Sequence, residues 1–407
     1  MLYNILLFLV EICLKLIARC NAKLNKGRLG RQETFSKIKA SIAKTDKTIW
    51  FHCASLGEYE QGLPVFECIK KAYPSHKIIL SFFSPSGYEI RKNSPIADVV
   101  VYLPIDTRTN AKTFIGLLKP ELTVFVKYDI WPNYLLELKR LDLKSILISA
   151  ALRPNQIYFK WFGGLFRNAL KSFHHIFTQD KESLELLKNI NYTQVSFAGD
   201  TRFDRVTNQL ELNNTLEFVD TFKNNQQLLV IGSSWGEDEL LYLEAINSSK
   251  NLKVIIAPHE INSKKIEALQ QKMKLKTSLY SQLNTTDLKT IDVLIIDTVG
   301  LLSKIYSYAD LAYVGGAAGN TGLHNILEPA TFGIPVFFGV NHKKFPEAKK
   351  LIDAGGALEI KSNTEFNQIL NKVLIGHDLK YKLGKNASEF VRLRTGATNT
   401  ICTYLNA

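Results

Sequence analysis

Neither a G-x-G-x-x-G dinucleotide fingerprint nor a G-x-x-x-x-G-K-[ST] phosphate loop occurs in the 407 residues, so the two commonest nucleotide motifs of wound α/β proteins are excluded. H-E-x-x-H is missing, and no D-x-D lies at a strand end. The five cysteines (Cys13, Cys20, Cys53, Cys68 and Cys402) are odd in number and scattered, with no C-x-x-C pair for zinc or thiol exchange. No metal site is expected, and a reducing compartment is the default reading. Low-complexity tracts and short-period repeats are also absent. What remains is a chain with 46% apolar residues, ordinary for a globular protein and long enough for two or three domains.

Acidic residues are in short supply, 38 against 51 basic, and the net charge of +13 is unevenly placed. Residues 1–50 hold ten Lys or Arg against Glu11, Glu33 and Asp46, which is over half of the excess. The basic segment follows an apolar run from Leu2 to Ala18 that is broken by Glu11 and Lys15. As a helix that run reaches about 25 Å, short of a roughly 30 Å hydrocarbon core. It has no positively charged start and no small-residue cleavage site, so it does not read as a secretory signal. A half-inserted or interfacial anchor is expected, the alternative being a buried N-terminal helix. Apolar run plus basic arm favours an anionic membrane surface over nucleic acid, with the globular part on the cytoplasmic side.

From residue 48 short β-branched runs alternate with helix-length segments. Thr48–Ala54, Lys77–Phe83, Asp98–Tyr102, Leu122–Val126, Lys144–Ala150 and His175–Thr178 read as buried strands. After an Asn-rich stretch, Asn208 to Gln227, the pattern restarts with Leu228–Ile231, Val254–Ala257, Val293–Ile296, Leu311–Val314 and Val336–Phe338. Runs apolar on both faces and separated by helices imply parallel sheets, hence an α/β chain of two Rossmann-like halves with a hinge near 205–225.

Ligands of open α/β sheets bind beyond the carboxyl ends of the strands, and five segments there carry unusual chemistry. Ser55-Leu56-Gly57-Glu58 precedes a helix expected from about Gln61 to Tyr73; Glu58 is either a general base or a solvated carboxylate favoured by the helix dipole. Lys127-Tyr128-Asp129-Ile130-Trp131-Pro132-Asn133 is either a site segment or a packed helix start. In Gly199–Asp204, Arg202 can neutralise a phosphate, while Asp200 or Asp204 can equally be a helix cap. Gly232-Ser233-Ser234-Trp235-Gly236 fits an anion-binding turn and also matches G-x-S-x-G, with Asp297 or Asp310 and His324 able to complete a hydrolase triad on Ser234. The glycine-rich stretch from Gly315 ends in His324-Asn325-Ile326-Leu327-Glu328-Pro329, where Glu328 can hold a ribose diol or cap a helix.

Taken in order, Ser55-Leu56-Gly57-Glu58, Tyr102-Leu103-Pro104, Trp131-Pro132-Asn133, Gly199 to Phe203-Asp204, Gly232-Ser233, Pro258-His259, Asp297-Thr298-Val299-Gly300 and the H-N-x-L-E-P segment resemble the 3-deoxy-D-manno-octulosonic acid (Kdo) transferases of lipopolysaccharide assembly. The resemblance implies a GT-B glycosyltransferase with two facing Rossmann-like domains and an N-terminal membrane-associating helix. The corresponding boundaries are 1–20 for the anchor, 21–205 for the acceptor domain and 206–407 for the donor domain. It further implies an inverting, metal-independent and cofactor-free enzyme on the cytoplasmic face of the inner membrane of Gram-negative bacteria. CMP-Kdo is then the donor and a lipid A precursor (lipid IVA) the acceptor. Glu58 would be the base. Pro258, His259, Val299, Gly300, Leu301, Asn325, Ile326, Leu327 and Glu328 would line the CMP site, with Arg202, Gly232 and Ser233 meeting the phosphate charge. Where family members often carry two glutamates before Trp-Pro-Asn, this chain has Lys127 and Asp129, so a carboxylate role there passes to Asp129. Leu301 stands where an acidic residue is frequent, and His259 where Arg is. Another nucleotide-sugar transferase or epimerase of the same fold is the alternative within enzymes, and a serine hydrolase on Ser234 the alternative chemistry.

Overall fold

A computed structural model describes residues 2–18 and 21–406. These divide into two compact units, the first running to Arg205 and regaining the chain from Thr395 onward, the second comprising Val206–Arg394. The last thirteen residues, placed by the sequence with the donor domain, therefore pack with the first unit. Their helix lies against the helix that follows the first strand.

The first unit carries a seven-stranded sheet of β1 (Thr48–Cys53), β2 (Lys77–Phe82), β3 (Val99–Tyr102), β4 (Leu122–Val126), β5 (Ser145–Ala150), β6 (His175–Thr178) and β7 (Val195–Phe197), in the order β3-β2-β1-β4-β5-β6-β7. The second carries β8 (Gln227–Ser234), β9 (Leu252–Pro258), β10 (Thr277–Leu279), β11 (Val293–Ile295), β12 (Leu311–Val314), β13 (Val336–Gly339) and β14 (Ala357–Ile360), ordered β10-β11-β9-β8-β12-β13-β14. Every strand pairing is parallel. Both sheets are covered on both faces. In β1, Ile49, Phe51 and Cys53 enter one core layer while Trp50 enters the other, as the period of two requires.

All eleven runs read as strands are strands. The three that the sequence did not reveal, β7, β10 and β14, are each a sheet edge, and each has half-exposed positions. An edge strand needs less apolar sequence, so its signal is weak. Strand order reverses between β1 and β4 and again between β8 and β12, which opens one crevice at the carboxyl end of each sheet.

At the N-terminus, helix α1 (Leu2–Ile17) is pinned at its start: the Tyr3 hydroxyl donates to Asp106 at 2.7 Å, and Asn133 donates to Asn4 at 3.0 Å. Tyr3 also meets Phe166 edge-on at 5.4 Å. Leu6, Phe8, Leu9, Leu16 and Ile17 are each more than half exposed. Among the described residues no helix is long and apolar enough to cross a membrane. Helix α2 (Ala22–Gln32) follows, and not all of its positive charge faces outward. Arg31 turns in, donating to the carbonyls of Leu103 (3.0 Å) and Phe83 (2.5 Å) and lying 4.5 Å over the Phe83 ring.

Cys68 and Cys402, 334 residues apart, are bonded sulfur to sulfur, which runs against the reducing compartment read from the cysteine pattern. Cys13 and Cys53 are free.

Candidate active site

In the first unit, helix α3 (Leu56–Ala72) begins at once after β1, five residues earlier than the sequence suggested, because Leu56-Gly57-Glu58 is helical rather than a connecting turn. Glu58 thus sits in the first turn, where free N–H groups favour a carboxylate. It is only 8% exposed, and the Ser55 hydroxyl donates to it. Asp129 follows β4, the neighbour of β1 across the reversal of strand order. Burial, followed by the charges of Glu58, Asp129 and Glu60, pushes the Cys53 thiol at the end of β1 well up.

Behind Asp129 lies a chain of polar groups that sequence reasoning missed. His52 Nε2 is 2.6 Å from Asp129 Oδ2, and Trp131 Nε1 donates to the same oxygen at 2.8 Å. His52 Nδ1 meets the Ser81 hydroxyl at 2.8 Å, and Trp50 Nε1 donates to that hydroxyl at 2.7 Å. Trp50, His52 and Ser81 are fully buried. A histidine and a serine facing each other across β1 and β2 was the available signal, since neither belongs in an apolar strand without a partner. Trp131 precedes helix α4 (Pro132–Arg140), whose first N–H groups, from Asn133 and Tyr134, donate to Asp106 at 3.1 Å each. Lys127 takes a left-handed backbone, φ 73°, with its ammonium 5.3 Å from the Tyr128 ring centre.

Arg202, in helix α5 (Thr201–Asn208), is engaged with Asp200 through Nε (2.9 Å) and Nη2 (2.8 Å). Asp200 also accepts from Gln61 and Gln179. The Arg202 charge is therefore already countered within its own unit, and phosphate binding would have to compete with that pair. Asp204 acts as a cap: it accepts from the N–H groups of Gly396 and Thr398, both at 2.6 Å, at the start of the final helix.

In the second unit the β8/β12 crevice is organised by Asp238, a fully buried residue in the first turn of helix α6 (Gly236–Ser248). Asp238 accepts from the N–H groups of Trp235 (2.8 Å), Gly316 (2.9 Å) and Ala318 (3.4 Å) and from the Tyr313 hydroxyl (2.8 Å). One carboxylate thereby ties the Gly232–Trp235 turn to the glycine-rich loop. A side chain at Gly315 would collide with the backbone of Ser233 and Ser234, so the two loops approach this closely only with glycine there. Ser233 itself has φ 54°.

Trp235, His259 and His324 form a stack, with ring centres 4.4 Å apart for Trp235 and His259 and 4.3 Å for the two histidines. Trp235 Nε1 donates to His324 Nε2 at 3.0 Å. Burial, and then the neighbouring His259, lower the His324 pKa to about 4; burial lowers that of His259. Pro258 ends β9, and the His259 N–H bonds to the Ser234 carbonyl at 2.9 Å. Glu328, in helix α7 (Leu327–Thr331), accepts from Asn325 (3.0 Å) and Ser303 (3.1 Å). Ile326 and Leu327 point their side chains into the core, so a ligand here meets their backbone. Val299 is 83% exposed, Leu301 packs on the core beside β8, and Gly300 has φ 93° with open space where a Cβ would be.

The hydrolase triad is not assembled. His324 is turned to Trp235 and His259, Asp297 binds Ser281, and Asp310 binds Lys223 and Lys380.

Residues 26–205 match the family model described as 3-deoxy-D-manno-octulosonic-acid transferase (kdotransferase). The 3-deoxy-D-manno-octulosonic acid transferase of Chlamydophila psittaci is 30% identical over 341 residues, covering 79% of this chain and 76% of that one. The chain belongs to the Kdo transferase family. It is accordingly a glycosyltransferase. The Haemophilus influenzae transferase aligns over 99% of this chain and 96% of its own at 24% identity. Among solved structures, the UDP-GlcNAc 2-epimerase of Neisseria meningitidis superposes on 89% of the transferase and 99% of its own chain with a TM-score of 0.61 at 15% identity. Acinetobacter baumannii MurG does so on 89% and 99% with 0.55 at 14%. These likenesses give the fold, GT-B, and leave the substrates to the site.

Proposed function

We propose that the protein transfers Kdo from CMP-Kdo to a lipid A precursor, lipid IVA, with inversion at the anomeric carbon and without metal or cofactor. The observation that carries this reading is Glu58, a buried carboxylate in the first turn of α3, at the reversal of strand order in the unit that the family model matches. In this reading its oxygen removes the proton from the acceptor hydroxyl while that hydroxyl oxygen bonds to the anomeric carbon. The bond from that carbon to the phosphate oxygen breaks, and CMP leaves with the electron pair. One base opposite one leaving group suffices, and no covalent intermediate is needed.

CMP is already a good leaving group, so the site must chiefly receive its charge, a task suited to backbone N–H groups of the Gly232–Ser233 turn. In this reading Glu328 accepts from the ribose diol. The exposed apolar residues of α1 and the outward lysines Lys23 and Lys26 support attachment to an anionic membrane surface on the cytoplasmic side, where a bilayer-bound acceptor would be concentrated.

The test is a detergent assay of the purified protein with freshly generated CMP-Kdo and tetraacyl lipid IVA, read by mass spectrometry. A mass gain of one or more Kdo units is expected, abolished in a folded Glu58→Gln variant. Turnover by Glu58→Gln near that of the unaltered protein would sink the base assignment; no mass gain at all would sink the donor and acceptor.

A further inference from the structure

Asp129 is held from behind by a line of groups whose hydrogen positions can be deduced one by one. Tryptophan only donates, so Trp50 Nε1 gives its proton to Ser81 Oγ at 2.7 Å. The 2.6 Å contact between His52 Nε2 and Asp129 Oδ2 requires a proton between them, since two lone pairs would repel at that distance. That proton belongs to Nε2. Nδ1 of the neutral ring is then an acceptor. The single Ser81 proton has two acceptors in reach, Nδ1 at 2.8 Å and the Phe51 carbonyl at 3.4 Å, and the shorter contact selects Nδ1. Trp131 Nε1 lies 2.8 Å from Asp129 Oδ2 and 3.1 Å from His52 Nε2, and with Nε2 protonated it donates to the carboxylate. The whole line runs in one direction, Trp50 to Ser81 to His52 to Asp129. Three of the four members are fully buried.

We infer that His52 is a positioning residue for transfer: fixed as the Nε2–H tautomer by Ser81, it and Trp131 clamp one oxygen of Asp129, leaving the other to accept a hydrogen bond from a sugar hydroxyl during transfer. This rests on the reading of the β1/β4 crevice as the site of transfer. The physical reason is selective use of one carboxylate edge. Two charge-assisted donors on Oδ2 fix the plane of the carboxylate, and a third donor of the substrate then finds Oδ1 already oriented. An ordinary core histidine needs only any two partners. Here one partner is a carboxylate that is itself partly exposed, 18% of its side chain, at the end of the sheet where substrates bind.

The test compares Asp129→Ala, His52→Leu, His52→Gln and Ser81→Ala in the full-length protein. Glutamine can offer an N–H near the place of Nε2, whereas leucine fills the space without it. Expected are at least a tenfold fall in kcat for His52→Leu with the KM for CMP-Kdo and the affinity for CMP within twofold of the parent, and clear recovery of kcat in His52→Gln. The His52→Leu, Asp129→Ala double variant should be no slower than Asp129→Ala alone. Nitrogen-15 spectra of the imidazole should show Nε2 protonated in the parent and a mixture of tautomers in Ser81→Ala. A folded His52→Leu protein with a kcat within twofold of the parent overturns the inference, as does an equal loss in the leucine and glutamine variants that follows their loss of thermal stability. If Asp129→Ala is fast, the carboxylate has no role in transfer and the inference falls with it. If Asp129→Ala is slow but His52→Leu is not, only the positioning role fails and the site reading stands.

Discussion

Asp238 offers the sharpest quantitative test, because one buried carboxylate holds both loops of the second crevice. Of its four hydrogen bonds, those from the Gly316 N–H and the Tyr313 hydroxyl are buried, while those from the Trp235 and Ala318 N–H groups are partly buried. Replacing Asp238 by Ala strands the two buried donors at about 1–3 kcal/mol each and weakens the other two by less than that, for a total of about 3–6 kcal/mol. Asn is different. Turned so that its carbonyl takes the place of Oδ2, it still receives Trp235 and Gly316, and its amide can donate to a rotated Tyr313 hydroxyl. The long Ala318 contact, the charge assistance and the acceptor of the Tyr313 proton go, about 2–3 kcal/mol, and relief of a buried charge offsets part of that. Urea unfolding of the full chain, together with amide exchange at Gly316, should therefore rank stability in the order parent, Asp238→Asn, Asp238→Ala. Gly316 should exchange fastest in the Ala variant. If Asp238→Ala costs less than about 1 kcal/mol, or if Asn is as damaging as Ala, the clamp does not work as described.

Glu328→Ala should weaken CMP binding severalfold or more while the fold is kept, and unchanged affinity by calorimetry would refute its ribose role. The depressed pKa of His324 means that the unfolded chain binds a proton there before the folded one does. Its contribution to stability is complete above about pH 6.5 and is lost as pH falls toward about 4. In acid titrations of unfolding a His324→Gln variant should show a shallower decline than the parent over that window; parallel curves would contradict the assignment. Removal of residues 1–20 should move the protein out of the membrane fraction, and full retention there would assign attachment to another surface.

What local pattern determines was legible. Alternation of β-branched runs with helices marked eleven strands and two wound halves, because strands buried on both faces must be apolar throughout. The edge strands β7, β10 and β14 escaped since half-exposed positions dilute that signal. Glu58 and Asp129 could be singled out by position after strands, and the order of the motifs pointed to the family.

Other features depend on which residues the sheets bring side by side. Strand order β2-β1-β4 places Ser81, His52 and Asp129 in one line although they come from three separate segments. Parallel neighbours β8 and β12 give Asp238 donors some eighty residues away. The same holds for Arg202: its charge was readable, but its engagement by Asp200 in a cluster with Gln61 and Gln179 was not. The final helix joins the first unit because Asp204 caps it and Cys402 meets Cys68. Sequence alone determined which segments become strands and helices, because periodicity and burial are local; tertiary structure decided which polar groups satisfy one another, because hydrogen bonds are short and the chain distances they bridge are long.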